Sequence, residues 1–143
     1  MVRIFGGTRD AEKILMGEKV LGAWLSNRKL PEGRTIEAFQ RQVQDQLIKD
    51  FQWDAERVHS ASVNLLQLLV DEIVWGLEGD ASALFASFYR LDLGEGLMGE
   101  ILSQHERPKA AQILAEKSLE RAALKVWMRW TFGQALPKDQ ISE

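Results

Sequence analysis

Catalysis and metal binding need particular side chains at particular spacings, and this sequence offers few of them. Glu56 and His59 stand in the E-x-x-H spacing that places a carboxylate and an imidazole on one helical face. Bundles that hold two metal ions use two such pairs and two further carboxylates. The other histidine, His105, has Leu102 three residues before it, so the second pair is missing. Half a ligand set predicts no metal site. Cysteine is absent, which removes thiolate nucleophiles, Cys-zinc sites and disulfide scaffolds. Neither a G-x-S-x-G nucleophile elbow nor a P-loop occurs. Ile4 to Glu12 reads as strand, glycine turn and helix start, the arrangement that seats phosphate on helix N–H groups in doubly wound folds. No later strands are predicted to build a sheet around it, so it reads as an entry to the first helix.

Between positions 71 and 100 lie seven acids, Asp71, Glu72, Glu78, Asp80, Asp92, Glu95 and Glu100, against Arg90 alone. Paired carboxylates do general acid–base work where burial splits their pKa values. Here Asp80, Asp92 and Glu95 are read as helix caps and the others as solvated, with no converging motif of a hydrolase. No catalytic residue, metal ligand or cofactor is assigned, and the sequence predicts a non-enzyme.

The last helix is the most promising surface. Lys117, Arg121, Lys125 and Arg129 recur every four residues, and Leu124 and Met128 fall among them by helical angle. One reading is a wet face whose cations complement the negative end of the helix macrodipole. The other is a partner-binding ridge of Lys117, Arg121, Leu124, Lys125, Met128 and Arg129. Mixed basic and apolar groups suit a protein partner better than a phosphate backbone. The expected function is therefore a non-catalytic protein–protein interaction or adaptor protein, a homodimer or a subunit of a larger assembly. The alternative is a helical nucleic-acid-associated subunit using the same stripe, distinguishable by its steep salt dependence. The acidic stretch is the expected opposite surface, in the same chain or a second copy.

Punctuation by glycine and proline divides the chain into helices. A first helix is predicted from about Asp10 to Asn27, capped by Thr8 or Asp10, with Ile14, Leu21, Trp24 and Leu25 on one face. Thr35 caps a second, whose Ile36, Phe39, Val43, Leu47 and Phe51 keep steps of three and four. A third, Asp54 to Leu77, is apolar around most of its circumference, which predicts a central position with Leu65, Leu66, Leu69 and Ile73 in the core. Gly79 should end it in the left-handed conformation. Asp80 caps a short helix carrying Leu84, Phe85 and Phe88. Asp92 and Glu95 have the capping-box spacing for a second short helix. Pro108 opens the last helix, which runs to about Thr131 with Leu119, Ala122, Ala123, Val126 and Trp130 inward. Trp24 and Trp75 are expected in the core; Trp127 and Trp130 are left open between core and interface. Val2 to Phe5 is the one strand candidate and is discounted for want of a partner.

Phe88-Tyr89-Arg90-Leu91-Asp92-Leu93 resembles an (L/F)-Y-R-(I/L)-D-(V/L) segment of small uncharacterised helical bacterial proteins. The resemblance spans about Leu65 to Leu102 and implies a helical fold, with no activity attached. Glycines 94, 96 and 99 depart from the helix-favouring residues it implies there. Read physically, Tyr89 and Arg90 end one helix, and Arg90 is placed to pair with a carboxylate at the corner.

These elements fit one all-α domain, a bundle of about four longer helices plus one or two short ones, with 1–8 and 134–143 as flexible ends. The 143 residues can bury a core without disulfides or metal. Apolar residues at 45% and charged residues at 27% are a globular balance. A net charge of −3 gives no global basic field for nucleic acid or anionic membrane. With no apolar leader and no run of about 20 apolar residues, a cytoplasmic location without membrane association is expected.

Overall fold

Helix boundaries fall where the last backbone groups find partners, and in this chain short polar side chains and left-handed residues provide them. The computed structural model describes residues 20–60 and 64–133. Within them lie helical residues 20–25 (α1), Ile36–Phe51 (α2), Ala55–Ser60 (α3), Leu65–Glu78 (α4), Ala81–Leu91 (α5), Glu95–Gln104 (α6) and Arg107–Phe132 (α7), and no strand occurs among the described residues. The fold is the expected all-α bundle. The strand candidate, the glycine turn, the caps at Thr8 or Asp10 and the expected flexible ends lie outside the described residues.

Thr35 caps α2 as expected, its hydroxyl accepting the Ala38 N–H at 3.1 Å. Along α2, Phe39, Val43, Leu47 and Phe51 are buried, while Ile36 in the first turn is exposed. Gln52 then adopts a left-handed φ of 58°, and the Trp53 N–H returns to the Ile48 carbonyl at 3.0 Å. Ile48 and Trp53 are both buried, the apolar contact that accompanies this type of helix end.

The stretch expected as one third helix is two. Asn64 is the reason visible in the sequence: its side-chain oxygen accepts the Gln67 N–H at 3.2 Å, so it starts α4 and does not continue α3. Gly79 ends α4 as expected, but with φ −114° and not in the left-handed region. The capping box at Asp92 is also corrected. Asp92 takes a left-handed φ of 73° and closes α5, with the Leu93 N–H bonded to the Phe88 carbonyl at 2.9 Å. A residue held as the end of one helix cannot cap the next, and Gly94 opens α6 without a side-chain cap. Glu106 is the N-cap of α7, which places Pro108 one position further in than expected.

The central helix is α7, not α4. Its buried face combines the small Ala110, Ala111, Ala115, Ser118, Ala122 and Ala123 with Leu114, Leu119, Val126 and Trp130. Small side chains let helix axes approach towards the lower end of the usual range of about 8–10 Å. Both α4 and α2 pack extensively on α7, and α5 and α6 also touch it. Around α4, only Leu66, Leu69 and Ile73 are buried; Leu65, expected in the core, is half-buried with Leu68, Val70 and Val74. An apolar circumference predicted burial on all sides, but α7 and α5 cover only part of it. Near the chain ends, aromatic rings join α1, α2 and α7. Trp24 stacks on Phe39 at 6.1 Å, and Phe39 meets Trp130 edge-on at 5.6 Å.

Helices α4 and α5 cross closely at Gly76. A Cβ there would stand 2.9 Å from the Leu84 Cβ and 3.1 Å from its Cδ2. Alanine has a helix propensity advantage over glycine of about 1 kcal/mol. The contact is to the root of a buried side chain, which cannot rotate away, and overpacking costs about 1–3 kcal/mol. Gly76→Ala is therefore expected to lower stability despite its propensity, whereas the exposed and unobstructed Gly99→Ala should raise it. Paired urea denaturations check both signs.

Candidate functional site

The basic stripe of α7 runs along a seam, and most of its cations point at partners in the same chain. Lys125 Nζ lies 3.1 Å from Asp50 Oδ2 and donates to the Arg90 carbonyl at 2.9 Å. Arg129 donates to Gln46 Oε1 at 3.0 Å, and Gln46 donates to Asp50 Oδ2 at 2.9 Å. Arg121 pairs with Asp92 at 3.0 Å. Lys117 pairs along its own helix with Glu120 at 3.7 Å. Leu124 is half-buried, and Met128 is the exposed apolar member of the six. Asp92 is the one acid of the stretch 71–100 that ion-pairs with the stripe among the described residues.

Arg90 holds the same seam from the α5 side, through neutral acceptors and not through the expected carboxylate. Its Nε donates to the Asp50 carbonyl at 2.7 Å and its Nη2 to Ser87 Oγ at 3.1 Å. Asp50, Gln46 and Ser87 are buried polar residues that sequence periodicity missed. The signal was present, because positions 46 and 50 fall beside 43, 47 and 51 on the inner face of α2.

The expected E-x-x-H pair does not converge on a ligand. His59 Nε2 lies 3.0 Å from Asp45 Oδ1 on α2. Among the described residues no group of three His, Cys, Asp or Glu is placed to hold a metal ion.

The outward surface that stands out lies on α4, α5 and α6. Trp75, expected in the core, is 76% exposed, and Tyr89 is 80% exposed with Phe85 at 39%. Helical angle accounts for all three. Trp75 follows Ile73 by two residues, about 200° around α4 at about 100° per residue. On α5, Leu84, Ser87, Phe88 and Leu91 take the inner face, leaving Phe85 and Tyr89 outside. Two grooves flank α5. The groove towards α6 holds about 270 Å³ and is lined by Phe85, Tyr89, Leu93, Met98, Leu102 and Glu95, among others. The groove towards α4 holds about 360 Å³ and is lined by Trp75, Leu84, Ser87, Arg90 and Glu72, among others. Asp80 stands at the start of α5, where its carboxylate caps Ser82. The Ser82 hydroxyl first, and then its backbone N–H, hold the Asp80 carboxyl below the ordinary value.

No protein-family model, no curated protein and no solved structure matches this chain.

Two outcomes follow from these contacts. Asp50 is buried, while the Lys125 side chain keeps 26% exposure. Removing Lys125 strands a carboxylate away from water; removing Asp50 leaves an ammonium that can still reach it. Breaking one side of a buried pair costs about 3–5 kcal/mol. Lys125→Met should approach that range by urea unfolding and exceed Asp50→Leu, and the double variant should lose less than the sum of the two. For Asp80, a lowered folded pKa means that its cap contributes above the unfolded carboxylate value and is lost as pH falls through the folded one. Asp80→Asn should remove that part of the acid-unfolding profile followed by circular dichroism.

Proposed function

We propose that this protein is a non-catalytic interaction module that docks a basic amphipathic helix of a partner protein on its α5–α6 face. The observation that carries the reading is the exposure of Tyr89 and Phe85 beside an apolar groove within the acid-rich part of the chain. Exposed aromatic residues over a groove are the usual anchors of protein recognition, and an amphipathic helix buries its apolar face in such a groove. Glu95 lines the groove, and Glu100 is exposed nearby in sequence. Complementary charge then selects a basic partner and speeds its encounter.

A symmetric dimer through the same face would set acid against acid. A head-to-tail pair would need a free basic face, yet Arg121 and Lys125 pair with carboxylates of their own chain and Arg129 is bonded to Gln46. The same engagement weakens the nucleic-acid reading, which requires cations available to phosphate. No helix among the described residues is long and apolar enough to cross a membrane. A cytoplasmic setting belongs to this proposal and rests on a composition without cysteine.

The test uses a synthetic amphipathic peptide with one leucine face and one lysine face, a leucine–glutamate counterpart and duplex DNA. The basic peptide should bind and weaken with salt. The Phe85→Ser, Tyr89→Ser variant should lose roughly tenfold or more in affinity, as expected for hot-spot anchors. Equal binding of the acidic peptide, tight binding of DNA, or an unaffected variant would overturn the proposal. Light scattering should find the wild-type chain monomeric; a dimer dispersed by the same two substitutions would make the face a self-interface instead.

A further inference from the structure

We propose that the α4–α5 groove is a second, separate site, which binds a carboxylate carried on an apolar body of about the size of one aromatic ring. The argument starts from the Arg90 guanidinium. One edge of its fork is occupied, Nε by the Asp50 carbonyl and Nη2 by Ser87 Oγ. Both acceptors are neutral. The Asp50 carboxylate takes its hydrogen bonds from Lys125 and Gln46. Among the described residues Arg90 forms no ion pair, and its Nη1 donates to no acceptor there. The other edge of the fork, Nη1 together with the second N–H of Nη2, is left for a ligand.

That edge has the geometry for a bidentate bond to one carboxylate. It is also preorganised. The two bonds on the first edge hold a long side chain in place, so a ligand does not bear the entropy of ordering it. The surroundings define the rest of the ligand. The exposed Trp75 indole and the buried Leu84 line the same groove and offer an apolar wall. Gly76 keeps α4 close to α5 here, since any Cβ would strike Leu84. A volume of about 360 Å³ lies in the usual range for small-molecule sites, about 300–1,000 Å³. Glu72 and Asp80 also line the groove. They repel every anion and multiply charged ones most, so an anion is held there only as a single carboxylate bonded directly to the half-buried arginine.

The experiment titrates the wild-type protein with phenylacetate, its neutral isostere phenylacetamide, and inorganic phosphate. Nuclear magnetic resonance follows the Trp75 indole N–H, assigned with Trp75→Phe. Phenylacetate should shift that signal and bind roughly tenfold tighter than phenylacetamide, the difference expected for a charge-assisted bidentate pair. Phosphate should leave the indole unmoved. Arg90→Gln should abolish the preference for the acid over the amide, and Arg90→Lys should keep part of it. If Arg90→Gln fails to fold, the comparison of acid and amide on the wild type decides alone. Equal binding of acid and amide, a matching response to phosphate, or no shift at the solubility limit of phenylacetate would each overturn the site. None of these outcomes depends on peptide binding at the α5–α6 groove.

Discussion

The buried carboxylate of Asp50 is the constraint on which the rest of the arrangement depends. It sits near the C-terminus of α2, where the last turn of α5 and the C-terminal third of α7 converge. A buried ion must be paired and hydrogen-bonded, or it costs several kcal/mol. Asp50 meets that demand with one bond from Gln46 on its own helix and one from Lys125 on α7. The Asp50 carbonyl takes Arg90 from α5, and the Arg90 carbonyl takes Lys125. Three helices are thus joined at one point by these bonds. Replacement by apolar residues is often neutral for such pairs. The network therefore serves to specify the packing more than to add net stability.

Specification is needed because the face of α7 that enters the core is nearly featureless. Alanines and Ser118 line it beside a few larger residues. Small residues permit close approach by many neighbours at many angles. Polar groups with fixed partners choose among those packings, in the way that a single buried polar residue sets the register of a coiled coil. The left-handed ends at Gln52 and Asp92 assist by placing α2 and α5 so that their last turns meet the same stretch of α7.

Much of this was legible in the sequence. Steps of three and four found the inner faces of α2 and α7, and Thr35 and Asp80 cap helices as expected. The centre was misplaced because hydrophobicity measures what a helix can bury, not what covers it. The stretch from Leu65 to Leu77 is more apolar than α7, yet α7 has the smaller side chains and the greater length, and the other helices assemble on it. The break near residue 64 was hidden because a single asparagine in an apolar run can face water within a helix as well as cap a new one. Asp92 was misassigned because a short acid at a corner can close one helix or open another, and only the chain's direction at that corner decides. The aromatic face was missed for a related reason. Phe85 and Tyr89 share a short helix with Leu84 and Phe88, and a helix with so many apolar groups reads as core until the inner face is counted out.

Charge connects the seam to the outer surface. The sequence shows an acidic middle and a basic last helix, which invites a picture of two complementary surfaces awaiting each other. In the folded chain Lys125 and Arg121 pair with Asp50 and Asp92 and Lys117 pairs with Glu120, while Arg129 is bonded to the neutral Gln46 amide. The carboxylates at Asp71, Glu78, Asp80, Glu95 and Glu100 are exposed and have no ion pair in the chain among the described residues. Exposed acids alone need no explanation, since water solvates them. Acids beside exposed aromatic rings are different, Glu72 and Asp80 lining one groove with Trp75 and Glu95 lining the other with Phe85 and Tyr89, because exposed apolar patches mark binding sites more often than solvated faces do. The cations that form the seam thereby leave α5, with its aromatic face and two grooves, as the part of the molecule whose charge and apolar surface are both still unmatched.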